Sequence, residues 1–194
     1  MKRGKVLVMA MVLSFSSLAF AGAATDVVKA KQTSLFELLG KPSPDNQKKV
    51  GAAFDEMLDY AALSEASLGS EWAARSDAEK AEFSDVLKQL VRKAYERNLK
   101  KTLGYNVEYL SEAPKGSAVV VKTRAVSKTN AREEPITIDY VLAQKNGAWK
   151  VQDIITEDVS LVSSYRSQFT KIVKKDGFPA LIKKMKDKLA KGET

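Results

Sequence analysis

The sequence contains no cysteine and no histidine in 194 residues. Without cysteine, disulfides, thiolate metal sites and a lipid-modified N-terminal cysteine are excluded. Without histidine the chain lacks the commonest general base, the commonest zinc ligand and every Ser–His or Cys–His nucleophile pair. No metal or cofactor is therefore expected. Glycine (10) and proline (5) are sparse, while 44% of residues are hydrophobic and 29% charged, a balance that excludes wholesale disorder. After residue 20 no apolar run approaches the ~20 residues of a membrane-spanning helix.

What is present first is an address. Lys2, Arg3 and Lys5 precede the apolar run Val6 to Phe20, and the small residues Ala21, Gly22, Ala23 and Ala24 follow. That order is the pattern of a secretory signal with an A-x-A site at Ala21 to Ala23. Residues 1–23 are expected to be removed, leaving residues 24–194 as one domain in an extracytoplasmic space, the periplasm in a Gram-negative cell. Loss of Lys2, Arg3 and Lys5 lowers the excess of cations from eight to five. The eight lysines after residue 170, set against Asp176, Asp187 and Glu193, account for all five. This basic end is either a solvated helix face or a handle for transient contact with an anionic membrane or an acidic partner. Nucleic acid is not expected, because no aromatic is interleaved with the lysines of the last helix.

The periodicity divides the chain into helices, then strands, then helices. Val27, Val28, Leu35, Phe36, Leu38 and Leu39 mark a helix over 26–40, broken at Lys41-Pro42-Ser43-Pro44. Asp45 is expected to cap a second helix, and a short one runs through Leu63 to Leu68. Ser76-Asp77-Ala78-Glu79 forms a capping box that opens the longest helix, whose stripe runs from Phe83 to Leu103. Four strands follow, at Val107–Leu110, Ala118–Ser127, Ile136–Lys145 and Ala148–Thr156, with Asn146-Gly147 a strong hairpin turn. Short joints imply an antiparallel meander. Two helices close the chain, separated near Gly177 and Pro179. The predicted class is α+β: N-terminal helices, a four-stranded antiparallel sheet and two C-terminal helices enclosing an apolar cavity.

From about Ala52 to Lys188 the sequence resembles the MlaC family, soluble periplasmic phospholipid-binding components of lipid-trafficking ABC transporters linked to toluene tolerance and outer-membrane lipid asymmetry. The residues that carry the resemblance are Ala66-Ser67-Leu68-Gly69 with Trp72, Ser76 to Phe83, Trp149 to Ile154, and above all Glu157 to Phe169. Two departures stand out: Asp158 where the family usually has Gly, and Ser164 where it often has Asn. The resemblance implies a carrier that holds phospholipid by its acyl chains. Its implied partners are an inner-membrane lipid ABC transporter complex and an outer-membrane lipoprotein and porin complex. Such a carrier needs a dry cavity near or above the upper end of the ~300–1,000 Å³ range of ligand pockets.

Expected lipid-binding residues are Leu87, Val91, Tyr95, Tyr140, Val151, Ile155, Val159, Leu161, Val162, Tyr165, Arg166 and Phe169. Periodicity does not separate a residue that faces a cavity from one that faces a neighbour. Arg166 flanks the apolar stripe of its helix, so a lipid phosphate or a carboxylate such as Glu157 are both partners within its reach. Asp139 and Asp153 form the one carboxylate pair worth considering for acid–base work, yet nothing in the sequence separates their pKa values, and the reading is non-enzymatic. Two other readings remain: a carrier of another amphiphile such as a hopanoid, and a transporter scaffold that carries no cargo.

Overall fold

The computed structural model describes residues 22–192. Most of the expected signal segment lies outside them, and its last residues, Gly22 and Ala23, open the first helix. The N-terminal helices are α1 (Ala23–Leu39), α2 (Pro44–Met57), α3 (Tyr60–Leu68) and, after one 3₁₀ turn at Gly69–Glu71, α4 (Asp77–Thr102). Strands β1 (Tyr105–Lys115), β2 (Ala118–Ser127), β3 (Ile136–Lys145), β4 (Ala148–Thr156) and β5 (Val159–Ser160) follow, and α5 (Leu161–Asp176) and α6 (Phe178–Lys191) end the chain. The class is α+β, as expected.

Local chemistry sets the boundaries. Ser43, not Asp45, caps α2: its hydroxyl accepts from the Asn46 N–H at 3.1 Å, and Pro44 occupies the first turn, where no donor is needed. Proline also forces Ser43 into extended backbone, which is the cap geometry. At α4 the capping box forms in full, with Ser76 Oγ accepting from the Glu79 N–H at 3.2 Å and Glu79 Oε2 accepting from the Ser76 N–H at 2.8 Å.

The strands form one antiparallel meander in the order β1-β2-β3-β4-β5. The fifth strand is an addition to the four expected. It is two residues long, too short for alternation to register, and pairs Val159 with Thr156 and Ser160 with Ile155. Its turn places Glu157 (φ 48) and Asp158 (φ 61) in left-handed backbone. Glu157 Oε1 accepts from the Thr137 N–H at 2.5 Å and from Thr137 Oγ1 at 3.0 Å, anchoring the turn to β3. A glycine at 158 would adopt this conformation without strain. Strand β1 runs past the expected end because Pro114 sits on an edge strand, where a missing N–H is tolerated.

One face of the sheet carries the helices. Phe83 of α4 sits at the centre of an aromatic cluster, 5.6 Å from Phe169, 6.4 Å from Phe178 and 6.5 Å from Trp72 between ring centroids. Helix α4 packs closest to α3 and α6, and its Leu87, Val91 and Tyr95 share one core with Val121, Tyr140 and Leu142 of the sheet. The helical layer is pinned to the sheet at the α2–α3 joint. There the Asp59 N–H donates to the Val151 carbonyl at 2.9 Å, and Leu58 forms an isolated parallel bridge with Val151. Asp59 Oδ1 accepts from the Ala62 N–H at 3.2 Å, capping α3, and from Lys145 Nζ at 2.7 Å.

Burial alone would raise the Asp59 carboxyl, but the Lys145 ammonium and the Ala62 N–H together hold it below its ordinary value of 3.8. An acid depressed in the folded state stabilises the fold above its unfolded pKa and loses that contribution as pH falls through the folded value. Asp59→Ala should therefore lower urea-unfolding stability by about 1 kcal/mol near neutrality, the usual loss for an N-cap. The gap to the wild type should shrink as pH falls below about 4. A gap that does not change with pH would show that the carboxylate charge is not what holds the joint.

Candidate functional site

Where the last third of α4 stands away from β3 and β4, a cavity of about 220 Å³ opens. Its helical wall is one face of α4, because Tyr95, Asn98, Leu99 and Thr102 recur three and four residues apart. Its sheet wall is Ile136, Ile138 and Tyr140 of β3 with Ile154 and Thr156 of β4. The lining is apolar apart from its rim, where Asn98 and Lys101 are exposed. No carboxylate lines it. Behind a collar formed by Tyr95, Leu99, Tyr140 and Ile154 lies a second space of about 20 Å³, closed on its far side by α1 and α2 through Gln32, Leu35, Phe54, Met57 and Leu58.

The tyrosines of the collar are held neutral. Burial pushes the Tyr95 hydroxyl well above its ordinary value, with the charge of Asp153 adding to the effect, and burial does the same to Tyr140. Near α1, Tyr109 donates to Gln32 Oε1 at 2.6 Å, and burial raises its pKa to about 12. No group here is poised to take or give a proton near neutrality. Among the described residues there is also no cluster of acidic side chains that could hold a metal ion.

The twelve residues expected at the site do not converge on one surface. Tyr95 and Tyr140 line the cavity. Leu87, Val91, Val151 and Val162 are buried in the core instead, and Phe169, also buried, lines with Tyr165 a separate space of about 50 Å³ among α4, α5 and α6. Leu161 and Tyr165 pack on that core half-buried, and Val159 is 61% exposed on β5. Ile155 is displaced by a bulge in β4: Val141 pairs with Asp153 but Leu142 with Val151, so Gln152 is an extra residue. The insertion reverses the alternation, so Ile154 joins Tyr140 on the cavity face, and Ile155 pairs with Asp139 on the other.

Arg166 does not line the cavity and does not meet Glu157. Its Nε donates to the Ala66 carbonyl at 2.7 Å, and its stem lies over Gly69 so closely that a Cβ there would sit 3.2 Å from Arg166 Cδ. With φ +57 as well, Gly69 is the residue this crossing of α3 and α5 requires. Asp153 is structural too, accepting from Ser160 Oγ at 2.6 Å and from the Val162 N–H at 3.1 Å and so fixing the start of α5.

Both the helix-on-meander layout and the stretch from the β4–β5 turn into α5 have counterparts in known proteins. The family model for MlaC protein matches residues 24–187. The chain belongs to the MlaC family. A search of curated proteins finds no match. Among solved structures, the MlaC-family chain is similar to a phospholipid-binding protein from Ralstonia solanacearum, solved in complex with a phospholipid. The two share 23% identity and a TM-score of 0.73, over 87% of this chain and 98% of that one. At that identity the likeness is one of fold. In this MlaC-family chain the stretch Glu157 to Phe169 builds the turn, the fifth strand and the first half of α5, so its specificity belongs to the scaffold beside the cavity.

The lining residues missing from the sequence-based expectation left different traces. Ile136 and Ile138 share their strand face with Tyr140, and Leu99 lies in the α4 stripe, so the pattern contained them. Ile154 was hidden by the bulge, and Gln32 by its polarity within an apolar helix. Filling the cavity tests its role as the binding space. Ile138→Trp should weaken uptake of an apolar fluorescent dye roughly tenfold, equivalent to ~55 Å² of lost apolar contact at ~25 cal/mol per Å². An unchanged dye titration in a folded variant would mean that the dye binds elsewhere.

Proposed function

We propose that this protein is a non-enzymatic lipid carrier, exported by its first 23 residues to the periplasm. There it buries acyl-chain surface of a phospholipid and passes the lipid between inner- and outer-membrane transport complexes. The observation that carries this reading is the apolar cavity between α4 and the sheet, with Asn98 and Lys101 at its rim where a phosphate would emerge. Family membership and the phospholipid held by the Ralstonia protein support it. No helix among the described residues is long and apolar enough to cross a membrane.

The physical need for such a carrier is large. A phospholipid with about 30 chain methylenes costs on the order of 25 kcal/mol to expose to water, at ~0.8 kcal/mol per group. Free diffusion across an aqueous space is then negligible. The cavity at about 220 Å³ is smaller than the ~300–1,000 Å³ expected of a ligand pocket. An apolar cavity of ~150 Å³ accepts one benzene, so this one accepts about half of a fatty chain. Complete loading therefore requires the cavity to widen beyond its present volume. A scaffold without cargo would have no use for the space.

Lys184 and Lys186 of α6 pair with Asp176 and Glu82, each at 2.6 Å, so the basic end is partly neutralised by its own fold. Docking on acidic partners then falls to the whole lysine-rich surface of α5 and α6 rather than to these two. Lipid extraction and native mass spectrometry of protein purified without detergent should recover phospholipid at about one per chain. Protein that is consistently empty and takes up nothing from vesicles would contradict the carrier reading.

A further inference from the structure

The deep end of the cavity is not uniformly apolar. Gln32 is 3% exposed and Tyr95 8% exposed, and both line the 20 Å³ space behind the collar. Gln32 Oε1 is engaged by the Tyr109 hydroxyl, but Gln32 Nε2 and the Tyr95 hydroxyl have no hydrogen-bond partner among the described residues. A buried polar group without a partner costs about 1–3 kcal/mol. Both side chains line one small space otherwise walled by Leu35, Phe54, Met57 and Leu58, where a bound polar group would relieve that cost. The space has the size of a single water-sized group, one oxygen with its hydrogens.

We propose that Gln32 and Tyr95 form a hydrogen-bonding subsite at the inner end of the cavity. It takes an oxygen carried on the buried part of an amphiphile, a hydroxyl or a carbonyl. The proposal deepens the carrier reading and rests on it, because the oxygen arrives past the collar on a chain that enters from the Lys101 rim. Gln32 Nε2 supplies one donor. The Tyr95 hydroxyl supplies a second donor or an acceptor, so a ligand hydroxyl is satisfied in both its roles. Burial keeps that phenol protonated throughout the physiological range. A resident water offers the same chemistry, and the experiment separates the two sources.

The test compares straight-chain carboxylates of about eight to twelve carbons with their ω-hydroxy counterparts, titrated into delipidated protein by calorimetry. In a dry pocket the added hydroxyl weakens binding about tenfold or more. Here, at the chain length that reaches the subsite, the ω-hydroxy compound should bind within about threefold of its parent or more tightly. In the double variant Gln32→Leu/Tyr95→Phe, or in Tyr95→Phe alone if the double variant does not fold, the penalty should rise to about tenfold. The ratio is read within each variant, so a general change in affinity does not enter. A wild-type penalty of tenfold at every length, equal to that of the variant, is the result a merely resident water would give, and it would overturn the subsite while leaving the carrier reading in place. If no member of either series binds at any length, both fall together.

Discussion

The interior of this protein is left partly open where the end of α4 lies across from β3 and β4. The first two-thirds of α4 spend their apolar stripe on neighbouring helices, with Phe83 against Phe169 and Phe178 and with Leu87, Leu90 and Val91 fully enclosed. The last third is flanked by α1 and α2 only around Tyr95 and Leu99 and lies open beyond them. Its Tyr95, Leu99 and Thr102 face β3 and β4 across a gap that their side chains only partly fill. Close packing is the rule in protein interiors. Here it gives way where the end of α4 faces the sheet, and again in a space of about 50 Å³ between α4, α5 and α6.

The remaining devices keep that arrangement in place. The Asp59–Lys145 pair and the Leu58–Val151 bridge fix the helical layer against β4, and the Arg166 contact with Ala66 ties α5 to the end of α3. Asp153 and Ser160 together set the start of α5. In the proposed carrier the apolar walls supply the affinity for an oily chain. The buried phenols and the Gln32 amide supply the features that distinguish one chain from another.

Much of the fold was legible because its signals are local. The capping box at Ser76, the Asn146-Gly147 turn and the two-residue alternation of β3 each state their geometry in a few consecutive residues. The cavity was legible only in part. Leu87 and Val91 lie on the same α4 stripe as Leu99, and nothing in the spacing says that helices cover the first two and a void the third. The β4 bulge swaps Ile154 for Ile155, and a single extra residue in a strand leaves no mark on composition. Arg166 was read as a partner for a phosphate or for Glu157, but its partner is a backbone carbonyl a hundred residues earlier, which no pattern of side chains announces.

The proposed lipid uptake has a chain entering between α4 and the β3–β4 face, and a crystal structure with a bromine-tagged fatty chain locates that chain directly. Anomalous bromine peaks should fall in contact with Leu99, Ile138 and Tyr140, with the cavity wider than in the unloaded protein. Bromine found outside this cleft, with Tyr95 and Tyr140 undisturbed, would contradict that route.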